Sequence, residues 1–269
     1  MLSIEVEAEE VFLYYDENFG FNPDGWGDWR STKKIEGAVV DELEEAEIKY
    51  MIGDAEEFVA YMKNNPNGIV VCPIIVPETV YNILESDKSR IEKWLYNGGT
   101  LIYSGDTFLF SVGMEGGKKA EPKYFGMKDV FNFSSRYIKL GPVEVKPTNL
   151  GLRYIPDLQP FSSLRPAQLA VLENENCGTI EVYGRSDNLA DPVLFSPPNM
   201  EGSFVHIHME KLAKKSDDYL SQVGLEIGEL IVNRFRESPI AVRAKYKVSL
   251  TWARLKTQFL NNSDERRRK

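Results

Sequence analysis

A three-layer α/β sandwich, with a mostly parallel central sheet and an antiparallel β excursion, is the architecture that this sequence predicts. Three observations lead to it. Short apolar runs alternate with helical stripes up to about residue 110, the rhythm of βαβ units with right-handed crossovers. One of those runs, "GIVVCPIIV", is apolar without alternation, as expected of a parallel strand buried on both faces. The same rhythm returns late, in "SFVHIHME" followed by the amphipathic "SDDYLSQVGLEIGELIVNRF".

The elements follow in order. "EVFLYYDE" is aromatic and apolar, the content of a buried strand, and ends at Asp16. After the loop "NFGFNPDGWGDWR", Ser31 or Thr32 is placed to cap a helix over Ile35, Val39, Leu43 and Ala46. "IKYMIG" is a second strand. Asp54 and Glu57 form a capping-box pattern that opens a helix over "AEEFVAYMKNN", and Pro66 stops it. "PETVYNIL" begins with proline, as a helix first turn tolerates, and sets Val80, Ile83 and Leu84 on one face. "SDKSRIEKWLYNGG" predicts a helix with Ile91, Trp94 and Leu95 inward and Asn97-Gly98 at its end, and "TLIYSGD" a fourth strand. Between about 107 and 200, Gly, Pro and Asn punctuate "RYIKLG", "PVEVKP", "TIEVYG" and "PVLFS", which read as the antiparallel excursion. In the last helix Leu220, Val223, Ile227, Leu230, Ile231 and Phe235 share a face. Beyond Ser238, "AKYKVSLTW" and "ARLKTQFL" suggest one more strand and a short helix.

Composition bounds the function. At 269 residues and 42% hydrophobic, the chain can bury one large core, here placed at 1–238, with a basic extension at 239–269. A net charge of −9 argues against a general nucleic-acid binder, because polyphosphate recognition needs clustered cations. That charge is uneven: residues 241–269 hold nine Lys or Arg against Asp264 and Glu265, a net +7, which leaves −16 for the rest. The acidic start, "MLSIEVEAEE", is too polar for a signal peptide, and no apolar run approaches the ~20 residues that span a bilayer. A cytoplasmic protein without a membrane partner is the expectation. Cys72 and Cys177 are too few and too far apart for a disulfide framework or a thiolate zinc site, so both are expected as free thiols.

In an open parallel sheet, ligands gather beyond the carboxyl ends of the strands. That rule selects Asp16 and the tryptophan loop, Cys72, then Ser104 and Asp106, and finally His208 and Glu210. Both histidines of the chain fall in "FVHIHMEK". Strand alternation would point His206 and His208 to one face, close enough to share a divalent ion with a carboxylate from Asp16, Asp106 or Glu210. The plainer alternative is that His206 is packed inside the sheet. Trp26 and Trp29 can stack on a sugar face while Asp24, Asp28 and Arg30 bond hydroxyls or a carboxylate, or they can simply cover the core.

Three stretches resemble the class I glutamine amidotransferase-like superfamily, including its ThuA-like and β-galactosidase-associated members. These are "IEKWLYNGGTLIYSGD", similar to the segment that leads into the family's nucleophile elbow; the antiparallel excursion; and "FVHIHME", where His208-Met209-Glu210 sits like the family's His-Pro-Glu. Across residues 10 to 236 the resemblance implies a flavodoxin-like sandwich with a pocket at the strand ends. The family's elbow cysteine is missing, since Ser104, Gly105 and Asp106 stand in its place. Glutaminase chemistry needs a thiolate there, so the resemblance implies a member without that activity.

Three functional expectations remain. The first is a binding protein for a small polar, carbohydrate-derived ligand, held by Asp16, Trp26, Trp29, Arg30, Cys72 and Asp106, with no cofactor. The second is a hydrolase that uses Ser104, His208 and Glu210, or a metal-bound water on His206 and His208. The third is a non-catalytic assembly subunit; a homo-oligomer is compatible with all three.

Overall fold

Val70, Val71 and Cys72 are all buried, with Ile69 close behind, as a strand covered on both faces requires. The computed structural model describes residues 11–19, 29–82, 89–122, 124–209, 212 and 215–235. Its central sheet has seven strands: β1 (Val11–Tyr14), β2 (Tyr50–Gly53), β3 (Ile69–Ile74), β4 (Thr100–Gly105), β5 (Thr179–Val182), β6 (Val193–Ser196) and β7 (Ser203–His206). Their spatial order is β5-β6-β7-β4-β3-β1-β2. All neighbours from β7 to β2 are parallel, whereas the β5–β6 and β6–β7 pairs are antiparallel. The parallel part, β2-β1-β3-β4-β7, has the flavodoxin-like order with β7 as its fifth strand.

Alternation along these strands builds two cores. Phe12, Val70, Cys72, Leu101, Tyr103 and Phe204 face one side; Val11, Leu13, Val71, Ile102 and Val205 face the other. Helices α1 (Trp29–Glu45) and α7 (Asp217–Leu230) cover the second side through Ile35, Val39, Leu43, Val223 and Ile227. Helices α2 (Ala55–Asn64), α3 (Arg90–Tyr96) and α4 (Tyr124–Phe131) pack on the first. There Phe108, Phe131 and Phe204 meet with ring centroids 4.7–5.5 Å apart. Burying each such side chain contributes about 1.5–3 kcal/mol.

Helix boundaries follow local chemistry. Asp54 caps α2 by accepting from Glu56 N and Glu57 N, and Glu57 answers on the Asp54 N–H, the predicted capping box. Such a cap contributes about 1 kcal/mol. Ser89 caps α3, and Gly98, at φ +116°, takes the left-handed turn after it. Helix α1 is already formed at Trp29, so Ser31 and Thr32 are buried inside it and are not its caps. "PETVYNIL" also departs from expectation. Val76–Pro77 pairs with Val112–Met114 and a turn follows, because Pro77 enters an extended segment. Ile83 and Leu84 lie outside the described residues.

The excursion is a five-stranded antiparallel sheet in the order Ala167–Gln168, Leu189–Ala190, Gly184–Ser186, Val143–Pro147, Phe161–Ser163. It carries the short helices α5 (Asn149–Tyr154) and α6 (Leu169–Asn174), which the sequence reading did not include. At the far end α7 passes into a π turn, Ile231–Phe235, where Arg234 makes two bonds to Glu181, at 2.7 and 2.8 Å. The domain limit at 238 and the basic extension lie outside the described residues. No helix among the described residues is long and apolar enough to cross a membrane.

Helices α1 and α7 approach closely. A Cβ on Gly224 would lie 2.3 Å from the Ile35 carbonyl oxygen, and one on Gly228 would lie 2.5 Å from the Glu42 side chain. Glycine at both points lets the two helices meet at closer range than any side chain would allow.

Candidate functional site

Parallel strands β1, β3, β4 and β7 all end at one edge of the sheet, and the selected residues must be judged there. Asp16, just past β1, is occupied with backbone. Its Oδ2 accepts from Ala55 N at 3.1 Å and its Oδ1 from Asn18 N at 2.8 Å. Cys72 is fully buried, with Sγ 3.2 Å from the Ile75 carbonyl oxygen. Burial pushes its thiol far above the ordinary range, which makes it an inert core residue.

At the end of β4, Ser104 is 1% exposed, and its Oγ has no hydrogen-bond partner among the described residues. Gly105 follows at φ +119°, and its N–H reaches the His208 carbonyl oxygen at 3.3 Å. Asp106 Oδ1 accepts from Thr107 N at 2.7 Å and from Arg165 Nε at 3.2 Å. Arg165 comes from the excursion, so this half-buried pair fastens that sheet across the strand ends.

The two histidines part company. Strand β7 stops at His206, whose ring packs edge-on to Tyr137 in the first core, with centroids 5.9 Å apart. His208 has φ +46°, a left-handed turn that ends alternation. Its ring lies on the opposite side, 4.0 Å from the Phe161 ring, against α7. The shared face that alternation predicted is therefore not formed, and His206 and His208 do not converge on one ion. Among the described residues no group of three His, Cys, Asp or Glu side chains is placed to hold a metal.

His208 is held at both nitrogens. Nε2 bonds Glu226 Oε2 at 2.5 Å and Nδ1 bonds the Tyr219 hydroxyl at 3.1 Å. Nε2–H donates to the carboxylate, and the second bond joins Nδ1 and the Tyr219 hydroxyl. Gln222 Nε2 donates to the second Glu226 oxygen at 3.0 Å. The expected partner of His208, Glu210, lies outside the described residues, as does Trp26. Glu226 carried a readable signal: it is a carboxylate inside the apolar stripe of α7, between Val223 and Ile227.

On the other side of β7, Asp191 Oδ2 accepts from Ser163 Oγ at 2.6 Å and Met209 N at 3.1 Å, and lies 3.8 Å from His206 Nε2. That spacing suggests an ion pair, but burial overrides it. Desolvation raises the Asp191 carboxyl to about 7, against lowering by His208, Ser163 and backbone N–H groups. Desolvation, then the neighbouring His208, lowers His206 to about 3. His206 is therefore a neutral imidazole near neutrality.

Trp29 and Arg30 go to a different place. They line a cavity of about 760 Å³ between the N-terminal halves of α1 and α7, with Lys33, Lys34, Lys215 and Asp217 around it. Both helices start where β1 and β7 deliver the chain, so this cavity belongs to the carboxyl edge, on its α1/α7 side. Asp106 is not part of it. The Arg30 guanidinium carbon lies 5.3 Å from the Trp29 ring centroid, a cation–π contact.

No family model and no curated protein matches this chain. Among solved structures it is similar to the Cytoplasmic Protein STM1381 from Salmonella typhimurium LT2, at 12% identity and a TM-score of 0.45, over 83% of this chain and 97% of that one. A ThuA-like protein from Bacteroides uniformis ATCC 8492 matches at 12% identity and a TM-score of 0.41, over 82% and 90% of the two chains. The exo-β-1,4-mannosidase Op5Man5 from Opitutaceae bacterium strain TAV5 matches at 11% and 0.43; 87% of this chain aligns, spanning 36% of that enzyme. At such scores no activity or ligand transfers from them.

Proposed function

We propose that the protein binds a small, polar, sugar-like ligand without hydrolysing it, in the cavity between α1 and α7. In this reading the chain is an amidotransferase-like sandwich without that superfamily's thiolate. Strand β4 ends in Ser104-Gly105-Asp106 where the elbow would stand, and Cys72 is sealed in the core. The carrying observation is the cavity itself: Trp29 and Arg30, an aromatic plate and a hydrogen-bonding cation, line about 760 Å³ at the carboxyl edge. Half-buried Trp29 offers the flat apolar face that a pyranose ring covers, and the polar rim offers partners for hydroxyls. A Ser104–His208 hydrolase finds no such support. Its base would need a free ring nitrogen, whereas both nitrogens of His208 are bonded to α7 and Ser104 is closed from solvent.

The test is titration of the intact protein with neutral methyl glucosides and mannosides and with the corresponding sugar acids, read by tryptophan fluorescence and calorimetry. At least one sugar should bind at micromolar to millimolar concentration, and Trp29→Ala should abolish that binding while the protein stays folded. Absence of binding across the panel, or binding indifferent to Trp29→Ala, would overturn the reading.

A further inference from the structure

Every second residue from Phe161 to Arg165 meets the carboxyl edge of the central sheet. The Phe161 ring lies 4.0 Å from the His208 ring, Ser163 Oγ donates to Asp191 Oδ2 at 2.6 Å, and Arg165 Nε pairs with Asp106 Oδ1 at 3.2 Å. One short piece of the excursion therefore runs from the α7 side of β7 across to the end of β4. From this placement we infer that residues 161–165 form a strap over the strand ends, held shut by a proton on Asp191, and that its release bares Ser104. Ser104 is 1% exposed and lies two residues before Asp106, while Gly105 N–H meets the His208 carbonyl oxygen. Both ends of the strap thus rest on neighbours of Ser104.

The middle contact supplies the control. Asp191 is fully buried, and no Lys or Arg among the described residues pairs with it. Its Oδ2 accepts from Ser163 and from Met209 N, whereas its Oδ1 has no hydrogen-bond partner among the described residues. His206 Nε2 lies 3.8 Å away, but that ring is buried and neither of its nitrogens is hydrogen-bonded among the described residues. Burial keeps His206 neutral near neutrality, so it provides no countercharge. The other titratable groups facing Asp191 are His208 and the Tyr137 phenol, which burial holds protonated. The Arg165–Asp106 pair closes the far end of the strap. A buried carboxylate without a paired cation is costly, so the shut strap favours the neutral acid. Desolvation accordingly holds the Asp191 carboxyl at about 7, although His208, Ser163 and backbone N–H groups lower it. Opening admits water to the carboxyl and frees the proton.

Thiol labelling of the full chain carrying Ser104→Cys and Cys177→Ser, from pH 5 to pH 8, tests the inference. Cys72, sealed in the core, is the internal reference for deeper unfolding. The introduced thiol should react at least about tenfold faster than Cys72, because the opening is local. Corrected for the ionisation of a free thiol, its rate should climb by up to about tenfold per pH unit toward pH 7 and then level off, the limit for release of one proton. Adding Asp191→Asn should flatten that climb. Arg165→Met, which loosens one anchor only, should raise the rate at every pH and keep the climb. Labelling no faster than that of Cys72 would overturn the strap. A flat profile with Asp191 in place would overturn its control by a proton, whether or not the Asp191 variant folds.

Discussion

Two groups of polar side chains meet the carboxyl edge of this sheet, and their fates are opposite. Around β7, Asp191, His206 and His208 are sealed: burial raises Asp191 to about 7 and leaves His206 neutral, and His208 has both nitrogens tied. Between α1 and α7, Arg30, Lys33 and Lys215 stand around an open volume of about 760 Å³. Residue type alone would rank the first group as the active site. Exposure ranks the second, because a group can act on a ligand only if the ligand can reach it. The buried group serves instead to hold the strand ends, the excursion and α7 together.

The sharpest way to break this contrast is through Glu226. Glu226→Ala leaves the His208 Nε2–H buried without an acceptor and should cost about 3 kcal/mol in urea unfolding. Glu226→Gln keeps an acceptor and should cost markedly less. If both variants unfold like the parent, the His208 contacts are not structural and the hydrolase reading returns.

Asp191 offers the next test. Its folded carboxyl sits at about 7, above an ordinary value near 3.8. Its contribution to stability is therefore complete below about pH 4 and is lost as pH rises through 7. His206, lowered from 6.5 to about 3, works the other way; its contribution is complete above 6.5 and is lost as pH falls toward 3. Asp191→Asn removes the first effect alone. Urea midpoints measured from pH 5 to pH 8 should thus decline less in the variant than in the parent. Some decline remains, since Glu36 and Glu229 are also raised to about 7, mainly by burial. A variant that declines as steeply as the parent would mean that Asp191 is ionised throughout.

The smallest effect is expected at Arg165. Arg165→Met breaks a 3.2 Å pair with Asp106 whose side chains are 17% and 16% exposed, and should cost about 1 kcal/mol or less. A much larger loss would mean that the excursion is fastened to β4 mainly through this contact.

Much of the fold was legible because it is written in local chemistry. The unalternating "GIVVCPIIV", the Asp54–Glu57 box and the Asn97-Gly98 stop all act within a few residues, and each forms as read. The site was less legible because its geometry is not local. Alternation placed His206 and His208 together, but one left-handed residue, at φ +46°, separated them. Just past it, Met209 N donates to Asp191, which lies between Leu189–Ala190 and β6, a long-range partner that no spacing within "FVHIHMEK" records. Trp29 and Arg30 were selected for a pocket shared with Asp106. They line one with Lys215 instead, because α1 lies beside α7, a neighbour 186 positions on from Trp29 by residue number at Lys215. Glu226 could have been found as an acid inside the apolar stripe of α7, where Glu229 is also buried.

The capping of α2 bears on selectivity by exclusion. In flavodoxin-like sheets the amide-rich opening of a helix next to the point where strand order reverses is a natural phosphate cradle. Here α2 follows the edge strand β2, and the amides of residues 55, 56 and 57 at its opening are already claimed by Asp16 and Asp54. The protein has filled the cradle with its own acids. A phosphate approaching the opening of α2 would meet two carboxylates and no free amide at residues 55 to 57, so that helix end repels the anions that such ends ordinarily attract.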